Sequence, residues 1–281
     1  GHYVRKRAIG SGGIGTVYEA TQERSRRTVA VKVMRHGVTS RSALRRFEQE
    51  SQPLARLHDP GIAQVFEAGG HESPNGLVPF FAMEFICGTE TLTAYAQKSE
   101  IGVRQRIELF RQVCDAVEHG HQCGIIHRGL KPSNILVDAT GRVKIIDFGV
   151  ARATDSDIAM TTMRTDVGEL IGTLQNMSPE QREADPSKID PRSDVYALGV
   201  TLFELLCGRL PYNIRNVPVY EAARTHNQSG VLRLCRRVMA IDDPPYFDSS
   251  CGRPARGQSS QIARVRQWRF PSATSRAWYS L

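Results

Sequence analysis

His127-Arg-Gly129-Leu-Lys131-Pro-Ser-Asn134 is followed by Ile135 to Val137, then Asp138-Ala-Thr-Gly141, then Val143 to Ile146 and Asp147-Phe-Gly149. The reading of this stretch decides the architecture. Two short apolar runs around Asp-Ala-Thr-Gly predict a β-hairpin. A hairpin returns the chain to where it began, so Asn134 on the way in comes to lie beside Asp147 on the way out. An amide oxygen and a carboxylate are hard oxygen ligands of the kind Mg²⁺ prefers. Lys131 adds a cation to the same loop. Each of these residues alone is an ordinary polar loop residue. Their order gains meaning from two further patterns upstream.

The first pattern is Gly10-Ser-Gly12-Gly13-Ile14-Gly15-Thr16-Val17. Spaced glycines also mark plain turns and dinucleotide sites, but the dinucleotide reading needs a helix to open here. Val17-Tyr-Glu-Ala resumes a strand instead, so the glycines form a hairpin tip whose backbone can approach a polyphosphate closely. The second pattern is Val29-Ala-Val-Lys32, a lysine ending an apolar strand, where the ammonium usually reaches back to solvent. A helical repeat follows from Ser42 to Leu57, with Ala43, Phe47, Glu50, Leu54 and Leu57 on one face. Glu50 puts a carboxylate in that apolar stripe and needs a cation. The expectation is a Lys32–Glu50 pair. Asp59-Pro60-Gly61 closes the helix, and Ile62 to Gly69 and Val78 to Phe85 read as further strands.

Beyond Gly88 a polar run reads as a linker. Val103, Ile107, Phe110, Cys114, Val117 and His121 then keep helical spacing until Gly124 stops it. Asp147 to Glu180 lacks periodicity, a length that in a compact region signals either function or mobility. Tyr196 to Leu206 predicts a buried helix. A strand-rich part thus precedes a helical one, with the polar loops and the hairpin where the two meet and a cleft is expected.

The 281-residue chain has 40% apolar and 23% charged residues, which excludes a wholly disordered, collagenous or disulfide-scaffold protein. Its apolar runs fall far short of the roughly 20 residues that span a bilayer, and no basic-then-apolar leader opens the sequence. The net charge is +8, and residues 213–281, with 11 Arg, no Lys and 4 acidic residues, hold almost all of the excess. No nucleic-acid module accompanies that charge, so nucleic acid is not an expected partner. Trp268 and Trp278 in this basic end suggest either a docking patch or a frayed terminus. None of the six cysteines forms a CxxC pair, which argues against structural zinc and for reduced thiols. The expected location is the cytoplasm, as a free domain or the cytoplasmic domain of a longer membrane-anchored protein.

Taken together, these motifs resemble those of the bacterial, eukaryotic-like serine/threonine protein kinases over roughly residues 3–212. The resemblance implies an α+β, two-lobed kinase fold: an antiparallel β-sheet lobe with helix C (1–86), a mainly helical lobe (87–212) and an atypical basic end (213–281). It implies ATP and Mg²⁺ as cofactors, and Ser or Thr on proteins, this chain included, as acceptors. By resemblance Gly10, Gly12 and Gly15 cover the ATP phosphates, Lys32 meets the α- and β-phosphates and Glu50 is its partner on helix C. Val17, Ala30 and Met83, the last at the gatekeeper position, line the nucleotide site. Glu84 to Ile86 form the hinge that bonds adenine. Lys131 serves the transferred phosphate, and Asn134 and Asp147 hold metal. Thr173 braces the catalytic loop, as does Asp194 from below, and Ser178-Pro179-Glu180 closes the activation segment. Thr161, Thr162 and Thr165 are the expected phosphorylation sites, with Arg128 as the phosphate partner.

Three departures stand out. The family's catalytic aspartate is replaced by Gly129, which implies either a severely impaired kinase or an ATP-binding pseudokinase acting as scaffold or regulator. A small-molecule phosphotransferase suits the long segment ending in Ser-Pro-Glu less well. Asn176 stands before Met177 where the family usually has an aromatic ring. Past Pro211 the family's last helices are not recognisable. Arg236 and Arg237 are the candidates for the arginine that pairs with Glu180, and a displaced terminal sequence is one explanation.

Overall fold

The computed structural model describes residues 2–12, 15–34, 41–73, 76–150, 175–182 and 188–211. Its first part is an antiparallel sheet of five strands, β1 (Tyr3–Ser11), β2 (Gly15–Gln22), β3 (Thr28–Met34), β4 (Val65–Ser73) and β5 (Gly76–Glu84), in the order β1-β2-β3-β5-β4. β3 is β-branched and apolar, so it takes the centre, where both neighbours satisfy its backbone. Strand alternation sorts its side chains. Ala30 and Met34 join Phe81, Met83 and Val65 in the main core, while Val29 and Val31 pack with Ala20, Phe80 and Ala82 on the other face. Lys32 shares the first face and is buried.

Helix α1 (Arg41–Ala55) covers that face. Its predicted stripe holds for Ala43, Phe47 and Leu54, and Leu57 just beyond it is also buried. Phe47 meets Phe81 edge-on with ring centroids 4.9 Å apart. The chain then turns at Asp59, whose Oδ1 accepts from Gly61 N–H at 2.7 Å.

The predicted hairpin is present as β7 (Ile135–Val137) and β8 (Val143–Ile145). The stretch after Gly88 is not the linker expected. It holds β6 (Glu90–Thr91), which pairs with β7, and α2 (Leu92–Lys98), capped by Thr91 and anchored by the fully buried Leu92 and Ala96. Two anchors in seven residues are too few to register as periodicity.

Helix α3 (Val103–Gln122) forms as expected, but its buried face is turned. Leu109, Val113, Ala116, Val117 and Gly120 face inward, whereas Val103 and Ile107 are nearly half exposed. The buried Arg106 takes the inward place near the helix start. Its guanidinium donates to Ile101 O (2.8 Å), Ala96 O (3.1 Å) and Leu205 O (2.6 Å). Hydropathy assigns an arginine outward, so the stripe read from apolar residues alone comes out rotated. A short helix α4 (Pro179–Arg182) and helix α5 (Pro191–Cys207) complete the described part. Asp190 caps α5 and Gly208, at φ 65°, ends it.

No helix among the described residues is long and apolar enough to cross a membrane. The readings made on residues 213–281 lie outside the described residues.

Candidate active site

The glycine tip joins β1 to β2. Gly12 and Gly15 exchange backbone hydrogen bonds, N–H to O, at 2.8 and 3.2 Å. A Cβ on Gly15 would lie 2.3 Å from Val33 O, so the closeness of β2 to β3 admits only glycine there. A Cβ on Gly10 would meet nothing within 4 Å, and the strand is open on that side. Val17 lies opposite Lys32, and Ala30 opposite Met83, both of the latter buried. Glu84, which ends β5, and Ile86 just past it are half-buried.

The expected Lys32–Glu50 pair is not formed. Lys32 Nζ instead donates to Asp147 Oδ2 at 2.7 Å, with 8% and 23% of the two side chains exposed. Glu50 Oε2 is buried without a hydrogen-bond partner. The inference that each buried charge needs a partner assigned Lys32 the wrong carboxylate. Asp147 lies 115 residues away in sequence, and only the fold brings it to the ammonium.

The loop carrying Gly129 is built around one buried carboxylate. Asp194, on the first turn of α5, accepts from His127 N–H (2.8 Å), Arg128 N–H (2.9 Å) and His121 Nε2 (2.8 Å). Burial alone would raise its pKa, but the hydrogen bond from His121 and the two backbone donors, His127 N–H and Arg128 N–H, outweigh it and hold the carboxyl below its ordinary value. Arg128 sits at φ 64° and Asp147 at φ 59°, conformations a non-glycine residue keeps only when its surroundings enforce them. His121 is the contributor sequence reasoning missed, since it was grouped with an apolar stripe.

His127 ties this loop to the strand before Asp147. Its Nδ1 accepts from Gly129 N–H at 3.2 Å, so the proton resides on Nε2, which donates to Ile146 O at 3.2 Å. Burial pushes the imidazole pKa down and keeps the ring neutral. The ring lies 5.0 Å from that of Phe148, which in turn needs Gly120 on α3: a Cβ there would lie 2.2 Å from the phenyl ring.

Asn134 is brought beside Asp147 as the hairpin predicts. Its carbonyl accepts from Ile146 N–H at 2.9 Å, and its Nδ2 donates to Gly129 O at 2.9 Å, leaving Oδ1 as the acceptor end of the amide. The described residues contain no cluster of three or more His, Cys, Asp or Glu able to hold a metal. Asp147 and Asn134 could between them offer oxygen ligands to a hard divalent cation, the remaining positions falling to water and phosphate oxygens. Lys131 is half-buried between Gly129 and Asn134 in the chain.

Below the loop, Gln181 on α4 links two segments. Its Oε1 accepts from Ser178 N–H and Oγ–H at 3.0 and 3.2 Å, and its Nε2 donates to Arg128 O at 2.6 Å. Glu180 accepts from Ser193 Oγ at 2.7 Å, binding α4 to α5. Asn176 is buried, and with Gly129, Lys131, Gln181 and Asp194 it lines a small cavity. Thr161, Thr162, Thr165 and Thr173 lie outside the described residues, as do Arg236 and Arg237.

The protein kinase domain family matches residues 3–254, continuing past residue 212 where the motif resemblance ends. The chain is 40% identical over 205 residues to the serine/threonine-protein kinase PknB of Mycobacterium leprae, covering 73% of this chain and 32% of the relative. It is 37% identical over 237 residues to PknB of Mycobacterium tuberculosis, covering 80% and 37%. A probable serine/threonine-protein kinase of Corynebacterium efficiens is 39% identical over 206 residues, covering 73% and 30%. The chain thus spans about a third of the length of these curated relatives. With the five-stranded sheet and the braced loop in place, this chain belongs to the protein kinase family, among the bacterial serine/threonine kinases of the eukaryotic-like type.

Proposed function

We propose that this domain binds ATP with Mg²⁺ in the cleft and that transfer of the γ-phosphate to protein Ser or Thr is severely impaired by Gly129. Kinases of this family use ATP, a divalent metal and protein substrates. In this reading Gly10, Gly12 and Gly15 lie over the phosphates. Val17, Ala30 and Met83 enclose the base, and the backbone of Glu84 to Ile86 bonds it. Lys32 and Lys131 meet phosphate oxygens, and Asp147 and Asn134 hold the metal, which supplies charge neutralisation of the phosphates when bound. Asp194 positions the loop, with Thr173 as a second brace, and Glu180 steadies the close of the activation segment. Arg128 would pair with a phosphate on Thr161, Thr162 or Thr165.

The observation that carries the impairment is the state of the loop around Gly129. It is held by His127, Asn134 and Asp194, yet the position that faces the acceptor hydroxyl has no carboxylate to take its proton. Loss of a general base costs about 10²- to 10⁴-fold in rate. A Cβ at Gly129 would find its nearest neighbour, His127 Nδ1, 4.0 Å away, and the residue is not among those at positive φ. An aspartate there is therefore sterically permitted.

The test compares the chain with Gly129→Asp for Mg·ATP affinity and for phosphate transfer to itself and to a generic protein substrate. Similar affinity with transfer raised at least 10²-fold is the expected outcome. Good affinity with no transfer in either form would reject the lost-base account and favour the second reading, a nucleotide-binding scaffold. The missing carboxylate beside otherwise complete nucleotide residues supports that alternative too.

A further inference from the structure

Glu84 is of interest above for its backbone, yet its side chain is the meeting point of three functional stretches. Its Oε2 accepts from Lys144 Nζ at 2.8 Å and from Gln64 N–H at 3.2 Å, and its own N–H donates to Gln64 O at 2.8 Å. The Gln64 side-chain amide donates to Ala55 O, at the end of α1, at 3.0 Å and to Val65 O at 2.9 Å. Lys144 is the middle residue of β8, the strand that runs into Asp147. Next to it, Ile145 accepts from Ala63 N–H at 2.8 Å and donates to Gly61 O at 2.7 Å. One node thus joins the end of the helix carrying Glu50, the start of the hinge and the strand delivering Asp147.

The Lys144 and Glu84 side chains keep only 17% and 32% of their surface exposed. A fully solvated ion pair contributes little because water screens it and two long side chains must be ordered. Here water is partly excluded, and the same carboxylate serves a backbone donor that would otherwise lose it.

We propose that Lys144 is a positioning residue for the nucleotide: through Glu84 it holds the hinge backbone at a set distance from Asp147. The inference rests on the nucleotide-binding reading above. A ligand held at its base by Glu84 to Ile86, and at its phosphates by Lys32 and by the metal that Asp147 would hold, must engage both ends together. A preset spacing spares it the cost of ordering the hinge. Without Lys144, the carboxylate keeps only Gln64 N–H, and the end of β5 loses its direct side-chain tie to β8 while the backbone route through Gln64 and Ala63 remains.

The test is calorimetric titration of the full chain with Mg·ADP, at a temperature well below the unfolding midpoint, for Lys144→Met, Lys144→Arg, Glu84→Gln and the Lys144→Met/Glu84→Gln double variant. Lys144→Met is expected to weaken Mg·ADP about five- to tenfold, in the lower part of the span that coupling between contacting residues covers. Lys144→Arg should restore most of that loss, and the double variant should bind no worse than the weaker single one. A Lys144→Met chain with a lower unfolding midpoint but unchanged Mg·ADP affinity overturns the proposal and leaves lysine a structural role. Additive losses in the double variant also overturn it. If the unaltered chain does not bind Mg·ADP, the nucleotide reading fails and the proposal falls with it.

Discussion

Glu50→Gln should act in opposite directions on the free and the nucleotide-bound protein. In this structure Glu50 Oε2 is enclosed without a hydrogen-bond partner while Lys32 is engaged by Asp147. An unsatisfied buried polar group costs about 1–3 kcal/mol, more when charged. An amide of nearly the same shape removes the charge but keeps polar atoms that also want partners. The net relief is therefore about 1 kcal/mol, which raises the unfolding midpoint of a domain this size by about 2–4 °C. A metal on Asp147, as proposed above, would take that carboxylate from Lys32, and the prediction is that Glu50 then replaces it as the partner of Lys32. There the amide forfeits a charge-assisted contact worth about 1.5–3 kcal/mol, so Mg·ADP affinity should fall about tenfold or more. Thermal unfolding with and without saturating Mg·ADP reads both effects in one experiment: a higher midpoint alone and a smaller shift on adding ligand. A lower midpoint for the ligand-free variant would mean that Glu50 is satisfied in the free protein. An undiminished ligand shift would mean that the Lys32–Glu50 pair has no part in binding.

Two further outcomes follow from buried groups. Arg106→Met leaves the carbonyls of Ala96, Ile101 and Leu205 without their donor. It should cost about 3–5 kcal/mol in urea unfolding, the scale for stripping charge-assisted bonds from a buried site, while nucleotide affinity below the transition stays unchanged. Stability should also fall on mild acidification because of His127. Its folded pKa is lowered by burial, so the unfolded chain takes up the proton first. That contribution is complete above the ordinary histidine value of about 6.5 and is lost below it, by up to about 1.4 kcal/mol per pH unit. Urea midpoints at pH 7.5, 6.5 and 5.5 should show the decline, and His127→Gln should flatten it. An equal slope in the variant would assign the effect to other groups.

Local order was legible in the sequence wherever a periodic pattern ran long enough. The glycine tip, the β-branched run of β3, the stripe of α1 and the hairpin around Asp138 to Gly141 all form near their expected places, because each depends on neighbours a few residues away. So did the approach of Asn134 to Asp147, which a tight hairpin alone enforces. Tertiary structure decided what depends on distances between remote segments. Arg106 faces inward because three carbonyls converge on it, and α3 turns with it. Leu92 and Ala96 make a helix of an apparent linker because a core lies beneath them. Lys32 pairs with Asp147 and not with Glu50, and Lys144 with Glu84, because charge complementarity in a sequence names every possible partner while a carboxylate is held only by the donor within reach.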